Sequence, residues 1–354
     1  MVKITEIVSV LFKKKYPILC RSSANSPGRT HQEEMTKHTK AYIALAFICI
    51  VWGTTYLAIR IGVMHYPAFL FAGVRQSVAG IILMIAALAI NRQKDFSTGN
   101  ILRQMLVGFL MLSVGNGCVT WGEKYIPSGI SALICSMMPL FAVLFNLLST
   151  KKDHFNLSIG LGMLLGVCGV GLIFRHNLDE LSSPAYLGGI LVTILATAGW
   201  ALGSIVNKKT VDAVNSFLNS GMQLLFGGLF MLIISPVLDD YHGLQLWNTD
   251  GIMALAYLII FGSVMAYAAY MYSLSVLPVG LATIYAYINP LIAVIAGYLF
   301  LKEGLNIYTG MAFITIVISV YLVNKGYRKQ HKAEMKIASS TIAMAFPESV
   351  PAES

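Results

Sequence analysis

A bundle of ten transmembrane helices arranged as two inverted five-helix repeats is the fold this sequence predicts, and three observations predict it. Apolar runs of roughly 20 residues, long enough to cross a ~30 Å hydrocarbon core, recur along most of the chain. The connections between them are short and hold most of the charge. The first half also echoes the second at an offset of about 150 residues.

Composition sets the class. Of 354 residues, 56% are hydrophobic and only 12% charged, with a mean hydropathy of +0.71, whereas soluble domains are about one-quarter charged. The candidate spans are 42–63, 68–90, 105–122, 128–149, 157–174, 186–206, 214–237, 251–273, 279–300 and 305–323. Barrel strands are about ten alternating residues long, so these are helices.

The elements follow in order. Residues 1–40 read as a cytoplasmic leader whose apolar patch is too short for a signal peptide; it is either disordered or amphipathic, or translation starts at Met35, where MTKHTK supplies a basic flank. The first span carries Trp52 and, near its end, Arg60; the second carries Arg75 about two turns beyond the short connection MHYP. Asn116, Thr120 and Trp121 lie on the third, with Asn116 and Thr120 on one helical face. Pro139 interrupts the fourth, where it removes a backbone hydrogen bond. Gly160, Gly162, Gly166, Gly169 and Gly171 make the fifth suited to close helix approach. Tyr267 and Tyr270 share a face of the eighth, and Tyr285 and Asn289 share a face of the ninth, just before Pro290. Residues 325–354 read as a basic, then disordered, cytoplasmic tail.

The net charge of +9 reads as membrane orientation and not as nucleic-acid binding. With a cytoplasmic amino terminus, the inner loops carry Arg92, Lys94, Arg103, Lys151, Lys152, Lys208 and Lys209, and the tail adds Lys325, Arg328, Lys329 and Lys332. The outer loops hold Lys124, Arg175 and Lys302. That asymmetry predicts a multi-pass protein of the inner (cytoplasmic) membrane with both termini in the cytoplasm. Lipid and a small-molecule solute are the expected partners, and the chain is expected to act as a monomer or homodimer. The cysteines form no disulfide framework, no metal-ligand cluster or cofactor motif stands out, and there is no Walker motif.

The repeat is visible residue by residue. Trp52 and Arg60 are echoed by Trp200 and Lys208 at an offset of 148, and Gln76 by Gln223 at 147. IPSGISALICSMMPLFAV (126–143) lies over LPVGLATIYAYINPLIAV (277–294), and Lys302-Glu303 mirrors Lys152-Asp153. Two copies of an odd number of spans must enter the membrane from opposite sides, an arrangement found in secondary transporters. The copies are expected at 41–175 and 186–324.

WGTTYLAIR in the first span, FAGVRQSVAGIILM in the second, the Pro-centred fourth and ninth spans and KEGLNIYTGMAF after the ninth resemble the EamA-type permeases of the drug/metabolite transporter superfamily. The resemblance covers about residues 40–325. It implies a ten-helix carrier, not an enzyme, that exports small metabolites, often amino acids or related compounds. It also places Trp52, Asn116, Thr120, Trp121, Tyr267, Tyr270, Tyr285 and Asn289 on spans around a central cavity; the mid-span prolines Pro139 and Pro290 are, from their own chemistry, either hinges or static kinks that permit packing. The sequence departs from the family's usual Gly-Glu after the fourth span, reading LSTKKD, and has Arg60 where Lys is usual. A carrier of nucleosides, sugars or drug-like solutes and a membrane protein that transports nothing stay open as alternatives.

The charges sharpen the expectation. No Asp or Glu falls in the core of a span, the nearest being Glu123 at the end of the third, and the histidines fall in tails and loops. Arg60 lies close enough to its helix end to reach water; Arg75 lies deeper, where an ionisable residue marks function. With Glu123 as the only nearby acid, one cation is in excess, and a guanidinium binds a carboxylate in two-pronged fashion. Arg75 is therefore the expected contact for an anionic group of the solute.

Overall fold

The computed structural model describes residues 31–90, 95–149, 157–176, 183–208, 216–242, 244, 247–277, 285–304, 306–323 and 325–326. Most of the leader, most of the tail, and the loop residues Arg92, Lys94, Lys151, Lys152, Asp153 and Lys209 lie outside them.

Every described apolar run is helical, because a backbone in hydrocarbon must satisfy its own polar groups. The helices are α1 (His31–Val63), α2 (Ala68–Ile90), α3 (Thr98–Gly122), α4 (128–149), α5 (Leu157–His176), α6 (Pro184–Lys208), α7 (Ser216–Leu238), α8 (249–276), α9 (Tyr285–Leu301) and α10 (Ile307–Val323). Among the described residues, 7 are long and apolar enough to cross a membrane, and shorter apolar helices lie in α5, α9 and α10. α1 begins before its span: residues 31–40, expected in the leader, continue the helix, and His31 and His38 ride on it.

Burial departs from that of a soluble protein at an apolar surface and at polar groups within an otherwise apolar core. Thr120, Thr193, Glu123 and Ser273 are fully buried, while Ile43, Ile85, Ile233 and Val237 are exposed, as a lipid-facing belt requires.

The packing repeats between halves. α1 lies against α8 and α9, and α6 lies against α3 and α4. At the centre α2 packs along α7, with Gly73 against Gly228 and Gly80 against Gly221. That order of contacts makes α2 and α7 antiparallel, and the missing side chains let their backbones touch. α5 meets α10 through Gly162, Gly166 and Gly169, with the Ser319 hydroxyl donating to the Gly162 carbonyl at 2.6 Å. Gly171 faces open space and takes no part.

Three features were invisible in the sequence. α3 and α8 each contain a stretch of π-helix, Phe109–Gly117 and Leu258–Met265, at equivalent places in the two halves. Both helices also start on a side-chain cap, Ser97 accepting from the Asn100 amide and Asn248 from the Gly251 amide. Lastly, two helix starts are capped from distant segments. Asp239, just past α7, accepts from the amides of Phe69 (3.2 Å) and Leu70 (2.8 Å) at the start of α2. Glu303, just past α9, accepts from the amides of Ser128 (2.9 Å) and Gly129 (3.3 Å) and from the Ser128 hydroxyl (3.0 Å) at the start of α4. Lys302 takes a left-handed φ of 55° to turn the chain there.

Candidate functional site

The π turn of α8 is where the expected site residues converge. A π turn shifts the backbone out of the regular ladder, so its carbonyls and adjacent side chains become available to neighbours. Trp52 of α1 donates its indole N–H to the Gly262 carbonyl at 3.0 Å. Next to it, Arg75 of α2 donates from Nε to the Ser263 hydroxyl at 3.3 Å. A side chain at Gly262 would press on the Thr55 methyl at 3.0 Å and touch the Arg75 guanidinium at 3.6 Å.

Three of the expected aromatics form one cluster. The Trp52 ring lies 5.4 Å from that of Tyr270 and 4.7 Å edge-on from that of Tyr285, and the two tyrosine rings are 5.6 Å apart. Asn289 fixes the α9 side: with its amide turned so that the nitrogen meets the acceptors around it, it donates to the carbonyls of Tyr285 (2.9 Å) and Cys49 (3.2 Å). Trp52, Tyr270, Tyr285 and Arg75 therefore line one region between α1, α2, α8 and α9.

The remaining expected residues lie elsewhere. Asn116 accepts from the Gln76 side chain at 2.9 Å, which ties α3 to α2. Thr120 is fully buried and returns its hydroxyl proton to the Asn116 carbonyl of its own helix at 2.8 Å. Trp121 stacks at a tilt against Tyr125 and packs near Phe69 and Met231. Tyr267 shares a helix face with Tyr270 but hydrogen-bonds Ser220 of α7.

The prolines differ. α4 is broken into Ser128–Cys135 and Met138–Ser149, and Pro139 opens the second piece. Pro290 lies buried inside a continuous α9. The break in α4 is completed by Ser136, whose hydroxyl donates to the Leu133 carbonyl at 2.6 Å.

The charges correct one part of the sequence reading. Arg60 is half-buried, and its guanidinium donates to the backbone carbonyl of Glu123, so it caps the C-terminal end of α3, where cations are favoured. Arg75 is 5% exposed, and its Nη1 has no hydrogen-bond partner. Glu123 is not the only acid nearby, because folding brings Glu303 into electrostatic contact with it. The cluster thus holds two arginines and two glutamates. In the sequence Glu123 is the end of a span followed by a loop, and nothing local to it announces either its burial or its second neighbour.

These features define a multi-pass, all-helical membrane protein with a buried polar and aromatic site between its helices. The model of the EamA-like transporter family matches residues 39–175 and 187–325. The chain belongs to that family, a transporter family and not an enzyme family. It is 34% identical over 288 residues to the uncharacterized inner membrane transporter YedA of Escherichia coli (strain K12), covering 80% of this chain and 90% of YedA. It is 27% identical over 300 residues to the uncharacterized transporter YvbV of Bacillus subtilis (strain 168), covering 84% and 96%. Protein PecM of Dickeya dadantii (strain 3937) is 27% identical over 72% of this chain and 82% of its own length. A solved protein crystal structure superposes with a TM-score of 0.56 at 16% identity, covering 82% of this chain and 98% of its own, and so shares the fold.

Proposed function

We propose that this transporter exports a small metabolite bearing a carboxylate, an amino acid or related compound, across the cytoplasmic membrane by alternating access between two inverted five-helix halves. The observation that carries the reading is Arg75: a guanidinium 5% exposed, with Nη1 unpartnered, beside the wall of Trp52, Tyr270 and Tyr285. A buried cation without a full set of partners is costly, and a carboxylate supplies the missing acceptors in matching geometry.

The packing supports the inverted arrangement. The Gly73–Gly228 and Gly80–Gly221 contacts exchange under the repeat offset, as they do across a two-fold axis between antiparallel helices. Each tryptophan of the Trp52/Trp200 pair lies against the π stretch of the other half, Trp52 on Gly262 and Trp200 on Gly115. The excess of Lys and Arg in the loops on the side of the termini supports a cytoplasmic location for both ends.

The test is a comparison of intracellular and medium metabolite pools in cells overexpressing the protein and its Arg75→Gln variant at equal membrane levels. The expected result is an amino acid enriched in the medium by the wild type and not by the variant. Equal export by both, or export confined to uncharged sugars or nucleosides, contradicts the reading.

A further inference from the structure

Glu123 terminates α3 at the point where Gly122 passes against Thr193 and Gly189 of α6. It is 0% exposed, and neither carboxylate oxygen has a hydrogen-bond partner. An ionised carboxylate is stable in such a place only with close countercharges and donors. The surrounding elements supply a short set of groups: Arg60 and Tyr56 from α1, Arg75 from α2, Ser131 and Cys135 from α4, and Glu303 from the segment after α9. α6 contributes the uncharged Thr193, whose hydroxyl is spent on the Gly189 carbonyl. The Ser131 hydroxyl, itself unpartnered, faces the carboxylate.

The two acids of the cluster are not equivalent. Glu303 accepts from two backbone amides and a hydroxyl at the start of α4. Glu123 faces only the Ser131 hydroxyl and takes no backbone amide. With so few donors, Glu123 depends on the neighbouring arginines to stay ionised.

We propose that Glu123 is a proton-binding site that shares Arg75 with the transported anion. With the solute site empty, ionised Glu123 offsets Arg75. When a carboxylate takes Arg75, Glu123 accepts one proton from hydronium, whose O–H bond breaks as the carboxyl O–H bond forms. One negative and one positive charge enter together, so the two arginines, Glu303 and the solute balance as the two arginines and two glutamates did before. This step rests on the reading of Arg75 as the anion contact, and it supplies the excess cation that four fixed charges would lack. It couples solute binding to proton binding in the same direction.

Infrared spectroscopy of the full-length protein in lipid, without solute, reads the proton directly. Lowering the pH from about 9 to 5 is expected to bring in a protonated-carboxyl C=O band that Glu123→Gln lacks and Glu123→Asp keeps at an altered frequency. In Arg75→Gln the midpoint of that band moves to higher pH by about one unit, because removing a cation favours the neutral acid. A band untouched in Glu123→Gln and unshifted in Glu123→Asp, or a midpoint that ignores Arg75→Gln, overturns the proposal. Because no solute is present, that outcome stands apart from a failure of amino-acid export itself.

Discussion

Trp52 on α1 gives its indole proton to the carbonyl of Gly262 on α8, 3.0 Å away and 210 residues along the chain. The bond joins the first half to the second at the π turn that also holds Arg75 through Ser263. Trp52→Phe keeps the ring against Tyr285 but leaves the carbonyl without its donor. It is expected to lower stability by about 1 kcal/mol, seen as a reduced thermal midpoint in detergent. Gly262→Val acts differently: its side chain enters the space beside Thr55 and Arg75, and transport should fall while expression persists.

The α2–α7 crossing tests the close approach of the halves. A methyl at Gly80 would sit 2.5 Å from the Leu225 amide nitrogen and 2.8 Å from the Gly221 carbonyl oxygen, and backbone cannot yield as a side-chain tip can. Gly80→Ala should destabilise by roughly 1–3 kcal/mol. Gly99→Ala, with nothing within 4 Å, should be neutral or stabilising by up to about 1 kcal/mol, because alanine is the better helix former. Thermal unfolding of the pair in one detergent checks both signs.

Asp239 holds the start of α2 with both carboxylate oxygens and also accepts from the Ser235 hydroxyl at 2.7 Å. Asp239→Ala is expected to cost about 1 kcal/mol, as loss of an N-cap does. Asp239→Asn, which keeps one acceptor oxygen, should fall between. Hydrogen exchange at the amides of Phe69 and Leu70 locates the effect.

The break in α4 is a candidate bending point. Pro139→Ala restores a backbone donor and should stiffen the rod without touching the solute contacts. The expected signature is a lower kcat at nearly constant KM in a reconstituted transport assay. A change in KM alone would make the break a fixed feature of packing.

The fold was legible where physics is local. Length and hydropathy of each run set the helices, and the echoes of Trp52 in Trp200 and of Gln76 in Gln223 set the halves. Arg75 stood out because an arginine two turns inside an apolar run needs a reason. The π stretches FLMLSVGNG and LIIFGSVM carry no such sign, since their residues suit an ordinary helix equally well. The caps by Asp239 and Glu303 join residues about 170 positions apart, and no spacing rule reaches that far. Tyr267 and Tyr270 show the limit of face arguments: one helix face placed them together, yet their partners lie on different helices.

The central claim is that Arg75 receives a carboxylate, and transport kinetics in proteoliposomes test it most directly. The amino acid most enriched in the medium by the wild type is measured with wild type, Arg75→Lys and Arg75→Gln. Loss of a charge-assisted, two-pronged contact should reduce kcat/KM roughly tenfold to a hundredfold in Arg75→Gln, with Arg75→Lys intermediate. Unchanged kinetics in Arg75→Gln would contradict the account.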